Sequence, residues 1–371
     1  MDINKNLSVN NITSNISRHG GNINEEAKRL GFNVNELLDA SASLVPFHPT
    51  KELKDCLKKA INNTSLRNYP DRHQFELKEA IASFHLVAAD MVLAGNGAAE
   101  LNTWSARDAS GIGLSCLPSP GFADYERALK CWGGAYFHAP LKLNWSASKP
   151  QSFPLQSQAK VIWITNPHNP TGQLWSRESL EKLLKQHSLV ICDEAFLPLV
   201  PNGENQSLIP LVRKYQNLIV IRSLTKLFSI AGLRLGYVIS TPKRLKQWEE
   251  CRDPWPVNGL AIAIGIMLMT NHELLNRQIN DIQKWVKTEG TWLHSSLKSL
   301  PGIIAHPSST NFQLIQGEEC LLELREKLAQ RKILLRDCRS FPGLGSKWLR
   351  ISLQTRSNNQ KILQSIRENI K

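Results

Sequence analysis

Short, wholly apolar runs alternate along this chain with longer stretches whose apolar residues recur at helical spacing. VIWIT (Val161–Thr165), LVICD (Leu189–Asp193), LIVIRSL (Leu218–Leu224) and LGYVIS (Leu235–Ser240) predict buried strands. SRESLEKLLKQH, between the first two, predicts an amphipathic helix with Ser176 and Ser179 as candidate caps. Strands alternating with helices imply an α/β fold with a mostly parallel sheet. The apolar run from Leu260 to Met269 is too short to cross a bilayer and reads as a buried helix. The C-terminal third changes character. A long helical stretch (about Asn271 to Leu300) leads to NFQLI, an amphipathic ELREKLAQR and WLRISLQ, predicting a smaller α+β domain that the segment Asn22–Pro46 joins. The expected organisation is a large domain over residues 49–271 and a small one over 18–48 and 272–371. Residues 1–17, polar and Asn-rich, read as a disordered tail.

Composition narrows the function. With 371 residues, 42% of them apolar, the chain exceeds one typical domain. Its seven cysteines are scattered with no C-x-x-C pair, which argues against a disulfide framework or a metal site and fits a cytoplasmic setting. The N-terminal residues lack the apolar core of a signal peptide. The formal charge of +13 comes without a basic run of five or more and without a nucleic-acid motif. It therefore points to anionic small ligands, with neither nucleic acid nor membrane as partner.

Four motifs carry chemistry. SLTKLFSIAGLRLGY (Ser223–Tyr237) sets Lys226 just after a buried strand, with hydroxyls at Ser223 and Thr225 and a guanidinium at Arg234. A lysine in a dry pocket loses its charge and can condense with an aldehyde, while hydroxyls and an arginine fork suit a phosphate. NPHNPTG (Asn166–Gly172) follows VIWIT at the strand end where α/β sheets place ligands, and offers Asn169 as a donor to a phenolic oxygen. CDEAF (Cys192–Phe196) puts Asp193 at the end of a buried strand, where a carboxylate needs a partner such as a pyridinium nitrogen. A helix-capping role is the plainer alternative for Asp193, as a turn is for NPHNPTG. GNGAAE (Gly95–Glu100) offers the backbone N–H groups of Ala98 and Ala99 to a phosphate, and PSPGFADYERAL offers Phe122 as a stacking face or an ordinary core aromatic. Together these groups describe a site for pyridoxal phosphate, with Lys226, Asp193 and Asn169 as its catalytic residues.

In this order the blocks GNGAAE, NPHNPTG, DEAF, SLTK and GLRLG resemble fold-type I pyridoxal-phosphate enzymes of the class I/II aminotransferase group, from about Arg18 to Thr355. The resemblance implies a large domain with a seven-stranded sheet flanked by helices, a small domain, and a homodimer with sites at the interface. Tyr69 in YPDRHQFELKEAI would then reach the phosphate of the partner subunit's cofactor.

Two branches of the group are resembled. HGGNINEEAKRLG from His19, DEAF with Phe196, DPWPVNGLA from Asp253 and ILLRDCRSFPGLGSKWLRISLQT from Ile333 look like threonine-phosphate decarboxylases of cobalamin synthesis. The other branch comprises histidinol-phosphate aminotransferases. The resemblance places His19, Gly20, Ser43 and Asn169 against the substrate, with Arg336 and Arg350 on its phosphate and carboxylate. One segment departs from the pattern: SASLVP (Ser41–Pro46) stands where the group reads SANINP, so Ser43 and Val45 replace two asparagines.

Overall fold

The computed structural model describes residues 20–62, 67–142 and 149–370. The tail read over residues 1–17 and the candidate His19 lie outside them.

Among the described residues, twelve strands form two sheets: β1 (Leu38–Ala40), β2 (Val92–Asn96), β3 (Ser115–Ser119), β4 (Tyr136–Pro140), β5 (Val161–Thr165), β6 (Leu189–Asp193), β7 (Leu218–Ser223), β8 (Leu235–Ile239), β9 (Ile303–His306), β10 (Phe312–Gly317), β11 (Ile333–Asp337) and β12 (Trp348–Ser352). The larger sheet runs β2-β8-β7-β6-β5-β3-β4. All its pairings are parallel except those of β8, which runs antiparallel to β2 and β7. Its central strands are apolar throughout because helices cover both faces. On β6, Leu189 and Ile191 pack with Val161, Trp163, Ile219 and Ile221 under the helices Ala98–Ile112 and Asp124–Cys131. Val190 and Cys192 pack on the opposite face with Ile162, Ile164, Leu218 and Val220. The same two-residue period puts the Asp193 side chain on the Leu189–Ile191 side, beside Tyr125.

The helix Arg177–Leu184 starts as expected at Ser176, whose hydroxyl accepts from the Ser179 N–H at 3.3 Å. Ser179 itself is no cap. It lies inside the helix, donates its hydroxyl to the Ser176 carbonyl and accepts from the Phe153 N–H. The apolar helix Gly259–Thr270 is also less enclosed than its composition suggests. Ala261, Ile264, Gly265, Leu268 and Met269 are buried, while Ile262, Ile266 and Met267 are only half covered.

The 27-residue helix His272–Lys298 leads to the second sheet, ordered β1-β11-β12-β10-β9. Here β1 adds in parallel to β11, Leu38 facing Ile333, and the remaining pairings are antiparallel. Leu349 and Ile351 of β12 pack into the main core. Arg350, between them, projects to the other face, level with Leu314 on β10 and Arg336 on β11.

Candidate active site

The sequence-marked loops converge at the C-terminal ends of the parallel strands, where an open α/β sheet exposes backbone groups for a ligand. Asn169 follows β5, Asp193 ends β6, and Lys226 sits in the one-turn helix Thr225–Phe228 after β7. The Lys226 amine lies 5.6 Å from the Phe196 ring centroid. Burial, with Arg350 and Arg234 nearby, lowers its pKa to about 8, and Asp193 opposes the shift. A lysine so depressed has a substantial neutral fraction near neutral pH, which an aldehyde requires.

Asp193 is buried, and both its oxygens are engaged. The Ala195 N–H donates to Oδ1 at 2.9 Å, and the Tyr125 hydroxyl donates to Oδ2 at 3.0 Å. The capping role of Asp193 is thus present at Oδ1, which holds a turn, while Oδ2 is engaged by Tyr125. Burial pushes its carboxyl upward, and these two donors together with Lys226 work against that.

At the end of β2, Gly97 precedes the helix Ala98–Ile112, whose N-terminus no side chain caps. With φ of +76°, Gly97 brings its backbone so close to Arg234 that an added Cβ would lie 2.5 Å from a guanidinium nitrogen. The start of the helix, with Ala98 and Ala99 as its first residues, thereby lies beside the Arg234 guanidinium, an arrangement compatible with an anion there. Ser223 accepts from the Thr225 N–H at 3.3 Å. Phe122 stands edge-on to Tyr125 at 5.5 Å, in contact with the residue that bonds Asp193.

The NPHNPTG loop is pinned from within. Asn166 exchanges two hydrogen bonds with the Trp175 backbone, and His168 Nδ1 pairs with the Thr171 hydroxyl at 2.7 Å. Burial drives His168 to about 3, so it is neutral. Asn169 Oδ1 accepts from Arg350, which leaves its amide nitrogen to donate elsewhere.

Arg336 and Arg350 face each other across the β11–β12 ladder, both buried. Arg350 stacks 4.7 Å from the Phe312 centroid and 5.6 Å from that of Phe341, and donates to the Ser41 carbonyl at 3.4 Å. Among the described residues its Nε has no hydrogen-bond partner, and burial plus Arg336 lower its pKa to about 10. Two opposed buried guanidinium groups are of the kind that suits an anion. Gly20 closes against it: an added Cβ would lie 2.4 Å from the Ser41 carbonyl and 3.3 Å from Arg336.

The two remaining described candidates, Ser43 and Tyr69, have these contacts. The Ser43 hydroxyl pairs with that of Ser352 at 3.2 Å and its carbonyl accepts from Asn311, so Ser41 is the member of SASLVP that touches Arg350. Tyr69 is 78% exposed and stacks on Trp255 at 4.3 Å. Tyr125, Thr165, Phe312 and Phe341 escaped the sequence reading. Only Tyr125 had a signal, one helical step beyond Phe122 in PSPGFADYERAL.

Fold and site together define a pyridoxal-phosphate enzyme of fold type I. The model for aminotransferase class I and II matches residues 27–366. The chain belongs to that family. It is 33% identical over 315 residues to a putative threonine-phosphate decarboxylase of Caldanaerobacter subterraneus, covering 83% of this chain and 84% of that protein. It is 31% identical to threonine-phosphate decarboxylase of Salmonella typhimurium, covering 95% and 96%. It is 28% identical to histidinol-phosphate aminotransferase of Thermoanaerobacter pseudethanolicus, covering 88% and 91%. Among solved structures, the histidinol-phosphate aminotransferase of Sinorhizobium meliloti in complex with pyridoxal-5'-phosphate superposes with a TM-score of 0.79 at 18% identity, covering 98% and 97%. No described helix is long and apolar enough to cross a membrane.

Proposed function

We propose that this enzyme decarboxylates L-threonine O-3-phosphate to (R)-1-amino-2-propanol phosphate, a step of cobalamin synthesis. The observation that carries the reading is the opposed pair Arg336 and Arg350, a buried dication suited to a small substrate with a phosphate and a carboxylate. The 31–33% identity to threonine-phosphate decarboxylases supports it. A second reading, transamination of a phosphorylated amine such as histidinol phosphate, draws on the 28% identical relative.

When bound, pyridoxal phosphate supplies an aldehyde for the amine and a conjugated ring that takes up the electrons of the bond broken at Cα. Lys226 holds the cofactor and, once the substrate amine displaces it, can move a proton at the reacting carbon. Asp193 keeps the ring nitrogen protonated. Ala98, Ala99, Ser223, Thr225 and Arg234 take its phosphate, Phe122 its ring face and Asn169 its phenolic oxygen. The arginines decide the outcome by fixing the carboxylate. An anchored carboxylate positioned for loss would favour release of carbon dioxide, whereas an anchoring that presents the Cα–H to Lys226 would favour proton transfer to its amine. His19, Gly20 and Ser43 complete the substrate wall in this reading.

The division at residues 48 and 272 and a homodimer with shared sites belong to the same proposal, with the exposed Tyr69 completing the partner's phosphate site. The test is to supply O-phosphothreonine and measure carbon dioxide. No carbon dioxide, together with glutamate formed from histidinol phosphate and 2-oxoglutarate, would establish the second reading in place of the first.

A further inference from the structure

Thr165 and Asp193 are direct neighbours across the parallel β5–β6 pair. Tyr125, from the helix Asp124–Cys131, reaches both: its oxygen lies 2.8 Å from Thr165 Oγ1 and 3.0 Å from Asp193 Oδ2. All three side chains are buried. The proton inventory fixes the direction of this chain of hydroxyls. An ionised carboxylate only accepts, so the single phenolic proton of Tyr125 goes to Asp193, and the Thr165 hydroxyl must donate to Tyr125. The tyrosine cannot swing away. Its ring packs 4.9 Å from Trp163 and edge-on to Phe122. Burial and the adjacent Asp193 also hold the phenol well above its ordinary pKa, so it stays a donor.

We propose that Thr165 and Tyr125 form a one-way hydroxyl relay that keeps Asp193 ionised and in one orientation for the ring nitrogen of pyridoxal phosphate, making both of them positioning residues. The inference rests on the Asp193 role assigned above. A carboxylate at a dry strand end tends to take up a proton, and Asp193 protonated would no longer balance a positive ring nitrogen. The Ala195 N–H serves one oxygen, and the relay serves the other. Because Tyr125 also touches Phe122, one side chain sets both the ring's stacking face and its nitrogen partner.

The test uses the holoenzyme and three substitutions: Tyr125→Phe, Thr165→Val and Thr165→Ser. Two quantities are read, the rate at which the cofactor dissociates and the pH midpoint of its visible absorption band. Tyr125→Phe should release cofactor about tenfold faster, the loss expected for one hydrogen bond to a charged group. It should also move the midpoint upward, because a weakened positive charge on the ring nitrogen opposes protonation near Lys226 less. Thr165→Val should do the same to a smaller extent, and Thr165→Ser should behave as the parent. In an Asp193→Asn background the effect of Tyr125→Phe should vanish. Tyr125→Phe and Thr165→Val with parental dissociation and midpoint overturn the relay. So does a Tyr125→Phe effect that persists undiminished in Asp193→Asn, which would assign the hydroxyl to packing alone. If Tyr125→Phe does not fold, the contrast between Thr165→Val and Thr165→Ser decides. Asp193→Asn that holds cofactor as tightly as the parent overturns the Asp193 role and the relay with it, whereas impairment in Asp193→Asn but not in Tyr125→Phe overturns the relay alone.

Discussion

Replacing Arg350 with methionine should raise stability and destroy substrate binding at once. Burial and Arg336 bring the Arg350 pKa down to about 10, which corresponds to about 3 kcal/mol spent in keeping the guanidinium charged. Methionine fits between the rings of Phe312 and Phe341 and carries no charge. It forfeits the bonds to Asn169 and the Ser41 carbonyl, which together offset about 1–2 kcal/mol of that relief. The net expectation is a holoenzyme more stable by about 1–2 kcal/mol in phosphate-free buffer, read from urea unfolding with the cofactor bound in both proteins. Adding inorganic phosphate should then stabilise the parent through the Arg336–Arg350 site and leave the variant nearly unmoved. The affinity for O-phosphothreonine should fall by about a hundredfold or more, since two charge-assisted bonds go with the side chain. A variant less stable than the parent by about 2 kcal/mol, or one that phosphate stabilises as much as the parent, would refute the view of Arg350 as a strained cation waiting for an anion.

Three further outcomes follow from other parts of the structure. Because Lys226 titrates near 8, capture of added pyridoxal phosphate by the cofactor-free protein should speed up as pH rises through 8 and then level off, the neutral amine being the nucleophile; stopped-flow rates with a midpoint near 10 would contradict this. Arg222 is buried against Glu194 and paired with Glu204 and Ser207, so Arg222→Met should cost about 3–5 kcal/mol in urea unfolding by stranding the Glu194 carboxylate, while Glu204→Gln, at the half-open end, should cost about 1 kcal/mol or less. In the proposed homodimer, mixing Lys226→Ala with Tyr69→Ala protein should restore activity above that of either alone, because each hybrid would hold one intact site; no recovery after verified subunit exchange would put Tyr69 outside the partner's site.

The elements that carry the candidate cofactor residues were legible because they are local. Lys226, Asp193 and Asn169 each sit within a few residues of an uninterrupted apolar strand, so the run predicted both the element and the end at which these residues stand. Asp193 also shows how far such a reading goes. The strand period assigns its face, but nothing in LVICD says that Tyr125, 68 residues earlier, donates to it. The substrate half depends on pairings between distant segments. Ser41 meets Arg350 only because β1 docks on β11 beside β12, a contact that nothing within SASLVP announces. The resemblance supplied Arg336 and Arg350, while the rings of Phe312 and Phe341 against Arg350 came only from packing. Ser179 was misjudged because a helix start rich in serine offers two equivalent caps, and only the backbone geometry chooses Ser176.

The pairing of β1 with β11 sets an order of assembly. Leu38 must wait for Ile333, about 300 residues further along, before that edge of the sheet exists, and contacts so distant in sequence close slowly. On the ribosome, Asn169, Asp193 and Lys226 have all emerged before Arg336 and Arg350 are translated. A nascent chain can therefore form the elements that carry those three residues while Ser41 still lacks the strand that brings it to the arginines. A lesion at either β1 or β11 should therefore leave a protein that takes up the coenzyme yet has lost affinity for the proposed phosphorylated substrate.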